Sequence, residues 1–266
     1  MNDLFSLVGQ TAVITGAAGL LGRQHCLALA SAGANVIVAD LDGAACAAIA
    51  AELSTDSLGV VLDVTEPASI GAMMELVGER YGRIHILVNN AAINDMFENP
   101  EAATEQSKLE NYPLELWQRL LNVNVTGVFL CAQAVGRQMA QQGGGSIINI
   151  ASRAWLGIFG SASYSMTKGA LVGVTRSLAL ELGPVGIRVN AIAPGYVQTP
   201  MSASLPPQVV RRSVNATPLR RAGNPDDVAR LATELAHPQS FVTGQVIAVC
   251  GGRTIGQPGM AEGTAS

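Results

Sequence analysis

Short runs of β-branched and aliphatic residues recur along this chain, each parted from the next by a helix-sized stretch. No other feature limits the possible fold as strongly. The runs are residues 11–15 (TAVIT), 35–39 (NVIVA), 59–62 (GVVL), 84–89 (IHILVN), 146–150 (SIINI), 187–192 (IRVNAI) and 245–249 (QVIAV). They are nearly continuous in apolar residues, as strands covered on both faces are, rather than alternating. Segments 20–32, 43–53, 67–81, 113–141, 161–182 and 225–236 between them have helical length. Such alternation builds β-α-β units, so the expected architecture is α/β: a doubly wound parallel sheet of about seven strands with helices on both faces. No linker, repeat or break in composition divides the series, so residues 1–253 are expected to form a single domain. The Gly- and Ala-rich residues 254–266 are expected to form a flexible tail.

The 266 residues suffice to bury roughly 70–75% of the surface of the unfolded chain. Hydrophobic residues make up 48% and charged residues 14%, which excludes a disordered chain. The net charge of −4 comes without a Lys/Arg cluster, so no nucleic-acid partner is expected. The longest apolar runs are strand-sized, so no membrane span is expected. Residues 1–10 carry Asp3 and no basic region, unlike a secretory signal. Cys26, Cys46, Cys131 and Cys250 form no C-x-x-C pair, and neither they nor His25, His85 and His237 have metal-ligand spacing. Free thiols in a reducing cytoplasm and no metal are expected.

Two stretches interrupt the alternation: the polar, irregular 94–112 and the Pro-, Ser- and Arg-rich 193–224. Both follow strand C-termini, the edge at which open α/β sheets bind ligands, and long loops there are commonly functional. Residues 201–219 are the expected lid. Arg211-Arg212 is expected to be a solvated helix face, and Trp117 is expected to be core with Leu114, Leu120 and Leu121.

The first run ends in Thr15-Gly16-Ala17-Ala18-Gly19-Leu20-Leu21-Gly22, and a helix follows at once. Glycines there let the backbone approach a pyrophosphate, and the helix N-terminus offers free N–H groups and positive dipole. The competing reading is a purely structural turn. The second run is followed by Asp40, placed to accept hydrogen bonds from an adenosine ribose and to repel the additional phosphate of NADP. Leu41, Asp42 and Gly43 follow, with no Arg or Lys beside it. The competing reading of Asp40 is a helix cap. Together the two features favour a Rossmann-like sheet that binds NAD.

Tyr164 and Lys168 stand four residues apart in a helical segment and so share a face. A cation beside a phenol favours the phenolate and lowers its pKa, fitting it for acid/base work on a substrate oxygen. An isolated Tyr-x-x-x-Lys is common by chance. Ser152, just past the fifth run, can donate to a carbonyl oxygen or cap a turn.

With these residues, the chain resembles the short-chain dehydrogenase/reductase family in its compact branch, from about Gly9 to Arg253. The resemblance is carried by the glycine-rich turn, Asp63-Val64, Asn89-Asn90-Ala91-Ala92, Asn122-Val123-Asn124-Val125-Thr126-Gly127, Ser152 with Tyr164 and Lys168, and Pro194-Gly195-Tyr196-Val197-Gln198-Thr199. It implies that Tyr164 is the acid/base, that Lys168 tunes it and binds the nicotinamide ribose, that Ser152 orients the substrate carbonyl, and that Asn124 holds a water linking Lys168 to solvent. It implies cofactor contacts from Gly16, Gly19, Leu20, Leu21, Gly22, Asp40, Asp63, Val64, Asn90, Ala91, Pro194, Gly195, Val197 and Thr199. Substrate contacts would come from Ser152, Tyr164 and Trp155, with Trp155 equally open to a core role. Arg153 is a weaker candidate. Leu20 stands where the branch has Gly, with Gly19 one place early, and this departure bears on the geometry of the turn. Ala92 and Cys250 replace a usual Gly and Asp and read as packing changes.

The implied activity is NAD-dependent hydride transfer between a secondary alcohol and a ketone. The substrate is expected to be small and polar: a sugar, polyol or hydroxy acid. The alternatives are an NADP-dependent ketoreductase of 3-oxoacyl type and a non-catalytic dinucleotide sensor. A homotetramer or homodimer is implied, paired through 113–141 and 161–182.

Overall fold

The computed structural model describes residues 5–94, 109–158, 161–198 and 207–255. All seven runs are strands: β1 (Thr11–Thr15), β2 (Asn35–Asp40), β3 (Leu58–Val61), β4 (Ile86–Asn89), β5 (Gly145–Ile150), β6 (Ile187–Pro194) and β7 (Val246–Val249). They form one parallel sheet in the order β3-β2-β1-β4-β5-β6-β7. The chain forms a single Rossmann-like domain. The order reverses between β1 and β4, which opens a crevice at their C-terminal ends.

The helices are α1 (Leu20–Ser31), α2 (Gly43–Glu52), α3 (Pro67–Tyr81), α4 (Leu114–Leu121), α5 (Val128–Gln141), α6 (Ala162–Leu182), α7 (Pro207–Asn215) and α8 (Pro225–Ala236). Proline at the start of α3 and α8 supplies no N–H where none is needed. Asn224 and Asp227 close a reciprocal capping box on α8.

Neighbouring strand residues divide between two cores, as a period of two requires. Ile148 joins Cys26 and Leu29 of α1 and Val228 and Leu235 of α8 on one face. Ile147 joins Met73 and Val77 of α3 and Val135 and Met139 of α5 on the other. Burying each large aliphatic side chain contributes about 1.5–3 kcal/mol, and this holds the strand ends in register under the site.

Three expectations change. The helix foreseen over 113–141 is interrupted by a π-helical turn, Asn122–Gly127. Gly127 packs so tightly that a Cβ there would lie 2.7 Å from Val64 Cγ2. A wider turn inserts one residue without disturbing the apolar period on either side, so the sequence carries no mark of it. The Pro-, Ser- and Arg-rich stretch 193–224 contains no expected helix in the series read from the sequence, yet it holds α7, whose exposed Arg211-Arg212 face is solvated as expected. Near α4, Leu120 is buried and Trp117 and Leu121 half-buried, but Leu114 is exposed. The four cysteines are buried and free. Among the described residues no helix is long and apolar enough to cross a membrane. Residues 95–108 of the polar insert, 201–206 of the expected lid and 256–266 of the tail lie outside the described residues.

Candidate active site

The glycine-rich turn is fixed by backbone approach. Gly16 has φ +63°, and a Cβ on it would lie 2.6 Å from Ala91 Cα. A Cβ on Gly22 would lie 2.2 Å from the Gly16 carbonyl oxygen. Gly19 is the N-cap of α1 and gives no side-chain cap, and the first turn holds no acidic residue. The N–H groups there are therefore open to an anion. Leu20 begins the helix with its side chain 39% exposed. Replacing the branch's usual Gly at this place leaves the close approaches at 16 and 22 intact.

Side chains brace the turn from the neighbouring strand. Thr15 Oγ1 accepts from the N–H groups of Asn90 and Ala91, both at 3.0 Å. Asn90 Nδ2 donates to the carbonyls of Thr15 (3.0 Å) and Gly16 (2.9 Å). Asp40 Oδ2 accepts from Ala18 N–H at 3.0 Å, while its Oδ1 accepts from Leu41 N–H at 2.7 Å. Asp42, not Asp40, caps α2 by accepting from Ala45 N–H. Asp63 Oδ1 is tied to the N–H and hydroxyl of Thr65.

A cleft of about 600 Å³ opens here between Gly16, Asp40, Asp63, Val64 and Ala91, with Arg119 of α4 also on its wall. It combines apolar walls with the carboxylates of Asp40, Asp63 and Glu115 and reaches Gly16 of the glycine-rich turn, which fits the adenosine half of a dinucleotide. Among the described residues no cluster of His, Cys, Asp and Glu could hold a metal.

At the C-terminal end of β5 the polar residues converge. Ser152 N-caps the turn Arg153–Leu156, its Oγ accepting from Ala154 N–H at 3.1 Å. Its hydroxyl proton is thus free to serve Tyr164, whose phenolate the Ser152 side chain favours. Lys168 is 3% exposed. Its Nζ donates to the Ile150 carbonyl at 2.7 Å and lies 5.7 Å from the Tyr164 ring centroid. Burial pulls the Lys168 ammonium down to about 8. Tyr164 departs from expectation: burial pushes its phenol up to about 12, against the lowering effect of Ser152. Lys168 is near enough to share the face, but desolvation of the phenolate sets the direction of the shift.

Asn124 sits fully buried in the π turn. Its Oδ1 accepts from Ile93 N–H (2.8 Å), and its Nδ2 faces the Ile93 carbonyl (2.9 Å) and Thr167 Oγ1 (3.2 Å). Thr167 in turn donates to the Tyr164 carbonyl at 2.8 Å. Asn124 therefore clamps the β4 loop to the helix of Tyr164. Trp155 packs against a small core of Val128, Ala151, Leu171, Ala191 and Ala193, with Nε1 buried and without a partner among the described residues. Gly195 abuts the chain just past β7, where a Cβ would lie 2.7 Å from Cys250 Cα. Val197 pairs in a parallel bridge with Gly223. Thr199 lies outside the described residues. Thr15, at the head of the glycine-rich turn, Thr167, between Tyr164 and Lys168, and Arg253, after the Gly251-Gly252 pair, bear on the site with no spacing in the sequence to mark them.

A family model described as enoyl-(acyl carrier protein) reductase matches residues 16–254. A subunit of (2S)-[(R)-hydroxy(phenyl)methyl]succinyl-CoA dehydrogenase from Thauera aromatica is 41% identical over 92% of this chain and 97% of its own length. The chain belongs to the short-chain dehydrogenase/reductase family. A 3-alpha-(or 20-beta)-hydroxysteroid dehydrogenase of Mycobacterium bovis is 40% identical to it over 94% of this chain and 91% of its own. A crystal structure of a gluconate 5-dehydrogenase from Burkholderia cenocepacia, in complex with NADP and tartrate, superposes with TM-score 0.86 at 33% identity, covering 96% and 99% of the two chains. This short-chain dehydrogenase/reductase is an oxidoreductase of alcohol and ketone groups that uses a nicotinamide dinucleotide.

Proposed function

We propose that this chain is an NAD-dependent enzyme interconverting a small polar secondary alcohol and its ketone, with Tyr164 as general acid and base. The observation that carries the reading is the meeting of Ser152, Tyr164 and Lys168 at one strand end, on the edge that holds the cleft. When bound, the dinucleotide supplies the carrier that takes or gives the hydride.

In oxidation Tyr164 Oη removes the hydroxyl proton from the substrate, and in reduction it returns one to the oxygen. The Ser152 hydroxyl donates to the same oxygen and orients it. Lys168 supplies positive potential to Tyr164 and a donor for the nicotinamide ribose. The side chain of Asn124 is already engaged, so a water on the route from Lys168 to solvent would be held by main-chain atoms of the π turn. The cofactor would be held by the backbone of Gly16, Gly19, Leu20, Leu21 and Gly22, by Asp40 at the adenosine ribose, by Asp63, Val64, Asn90 and Ala91 at the adenosine end, and by Pro194, Gly195, Val197 and Thr199 at the nicotinamide end.

Asp40 in the cleft, with no cation at 41–43, supports NAD. Arg119 on the same cleft wall favours a second reading, NADP, which the gluconate 5-dehydrogenase structure contains. Initial rates by nicotinamide absorbance, with NAD and NADP over sugars, polyols, hydroxy acids and neutral alcohols, test both. NAD turnover that Asp40→Ala weakens about tenfold supports the first reading. NADP preference in the unmodified protein supports the second. No turnover despite cofactor binding supports a sensor.

Exposed Phe129 (47%) on α5 and Leu180 (81%) on α6 support a homotetramer paired through these helices, and a monomer in sedimentation would refute it. The buried free thiols support a cytoplasmic location.

A further inference from the structure

Two arginines stand at the sheet edge that holds Ser152, and among the described residues neither has a carboxylate partner. Arg153 follows Ser152 directly and opens its turn. Arg253 ends the turn after β7, its N–H donating to the Cys250 carbonyl at 3.1 Å. β5, β6 and β7 are neighbours in the sheet, so both turns stand at one edge with only the end of β6 between them. The close approach of Gly195 to Cys250 holds the β7 turn tightly against that of β6.

Both side chains are half-buried. Burial first, and then the charge of Arg253, hold the Arg153 guanidinium below its ordinary range. Arg23, Arg80, Arg221 and Arg230 each have a carboxylate partner, whereas among the described residues Arg153 and Arg253 have none. Among the described residues the acidic group that acts on Arg153 is the Cys250 thiol, itself 3.4 Å from Thr254 Oγ1. One thiol does not neutralise two guanidiniums. Two like charges drawn partly out of water are costly without an anion, and such arrangements concentrate at binding sites.

We propose, on the reading of Tyr164 as the acid and base, that Arg153 and Arg253 bind a carboxylate of the substrate. The substrate is then a hydroxy acid or keto acid whose carboxylate anchors it while its carbinol meets Ser152 and Tyr164. Guanidinium pairs suit this role because each presents a fork of donors to a planar carboxylate. Sugars, polyols and steroid alcohols lack the group.

The kinetic test compares 4-hydroxycyclohexanecarboxylate with its methyl ester. The acid is expected to be the better substrate. Arg153→Gln and Arg253→Gln are each expected to lower its kcat/KM at least about 30-fold, mostly through KM, with ester turnover and cofactor affinity unchanged. Arg→Lys at either place should restore part of the loss. Equal losses on acid and ester, or weakened cofactor binding, would overturn the proposal.

A second measurement separates this proposal from the proposed activity. Calorimetric titration of cyclohexanecarboxylate into the cofactor-loaded Tyr164→Phe protein should show binding that either arginine variant abolishes. Arginine-dependent binding without turnover in the unmodified protein would sustain the carboxylate site and sink the dehydrogenase reading. Absence of binding across carboxylates of four to eight carbons, or equal binding of inorganic phosphate, would sink the carboxylate site.

Discussion

The ends of β1, β2 and β4 and the ends of β5 and β7 handle charge in opposite ways. The first group uses main-chain dipoles. α1 offers uncapped N–H groups, Thr15 Oγ1 accepts two N–H groups, and Asn90 ties down two carbonyls. Asp40 at the end of β2 lines an open cleft together with Asp63, just past β3, and Glu115 of α4. The second group takes cations out of water. Lys168 donates to one carbonyl among the described residues, and Arg153 feels the charge of another arginine. A site built of backbone approaches is indifferent to pH but intolerant of a methyl group. A site built of desolvated ions is poised to move protons and answers to every change of charge.

Removal of the one titrating oxygen tests this contrast most severely. Tyr164→Phe is expected to lower kcat by about 10³ or more, near the upper range for general acid–base catalysis, while the dissociation constant for the cofactor stays within about twofold. A comparable loss of cofactor affinity would mean that the two ends are not separable.

Lys168→Met gives the next largest effect, about 10²-fold in kcat/KM for oxidation at neutral pH. Tyr164, pushed up to about 12, holds its proton near neutrality, so oxidation should quicken as pH rises. Lys168, pulled down to about 8, carries its charge below that pH and helps the phenolate form. Their apparent values belong to the pair. Removing the cation should therefore move the rising limb of the pH–rate profile to higher pH by at least about one unit. A limb that stays in place would confine Lys168 to holding cofactor.

The same contrast explains what the sequence discloses. All seven strands are legible within two residues, because burial on both faces writes itself as continuous apolar runs. Tyr164 and Lys168 are legible because an i, i+4 spacing fixes a shared face within one helix. The π turn at Asn122–Gly127 is not, since the apolar period continues on both sides of it. The meeting of Arg153 and Arg253 is not, since it depends on strands β5 and β7 lying on either side of β6. The upward shift of Tyr164 is not, since spacing tells which charges are near but not how much water is lost.

His25 carries the logic of desolvation into the dipolar end. It lies fully buried in α1, with neither ring nitrogen partnered among the described residues, and burial lowers it to about 4. The unfolded chain binds a proton near 6.5, so stability is whole above that pH and falls as pH drops from 6.5 towards 4. The loss is about 3 kcal/mol once both values are passed. His85, also lowered to about 4, adds a loss of the same sign. His25→Leu fills similar volume without an unpaired polar group and should raise Tm and shrink the acid-side fall in chemical denaturation. An unchanged acid limb would assign the fall to other groups.

The smallest effect is the sharpest for the backbone side of the contrast, because it compares two glycines three residues apart. Helix propensity alone would make Gly22→Ala stabilising by about 1 kcal/mol. Its Cβ, however, would lie 2.2 Å from the Gly16 carbonyl oxygen, 2.6 Å from Ala17 Cα and 2.9 Å from Asn90 Nδ2. The first two are main chain and cannot swing aside, so overpacking, about 1–3 kcal/mol, wins. The displaced atoms are the turn and its clamp, and cofactor affinity should fall about tenfold with stability. Gly19→Ala meets only the Gly16 oxygen, at 3.3 Å, and the position has an ordinary φ of −69°. Its cost should stay within about 0.5 kcal/mol. Thermal unfolding and fluorescence titration of the cofactor check both. If Gly19→Ala proves as harmful as Gly22→Ala, the turn is tuned by the flexibility of its N-cap, and close approach is not what defines this end of the sheet.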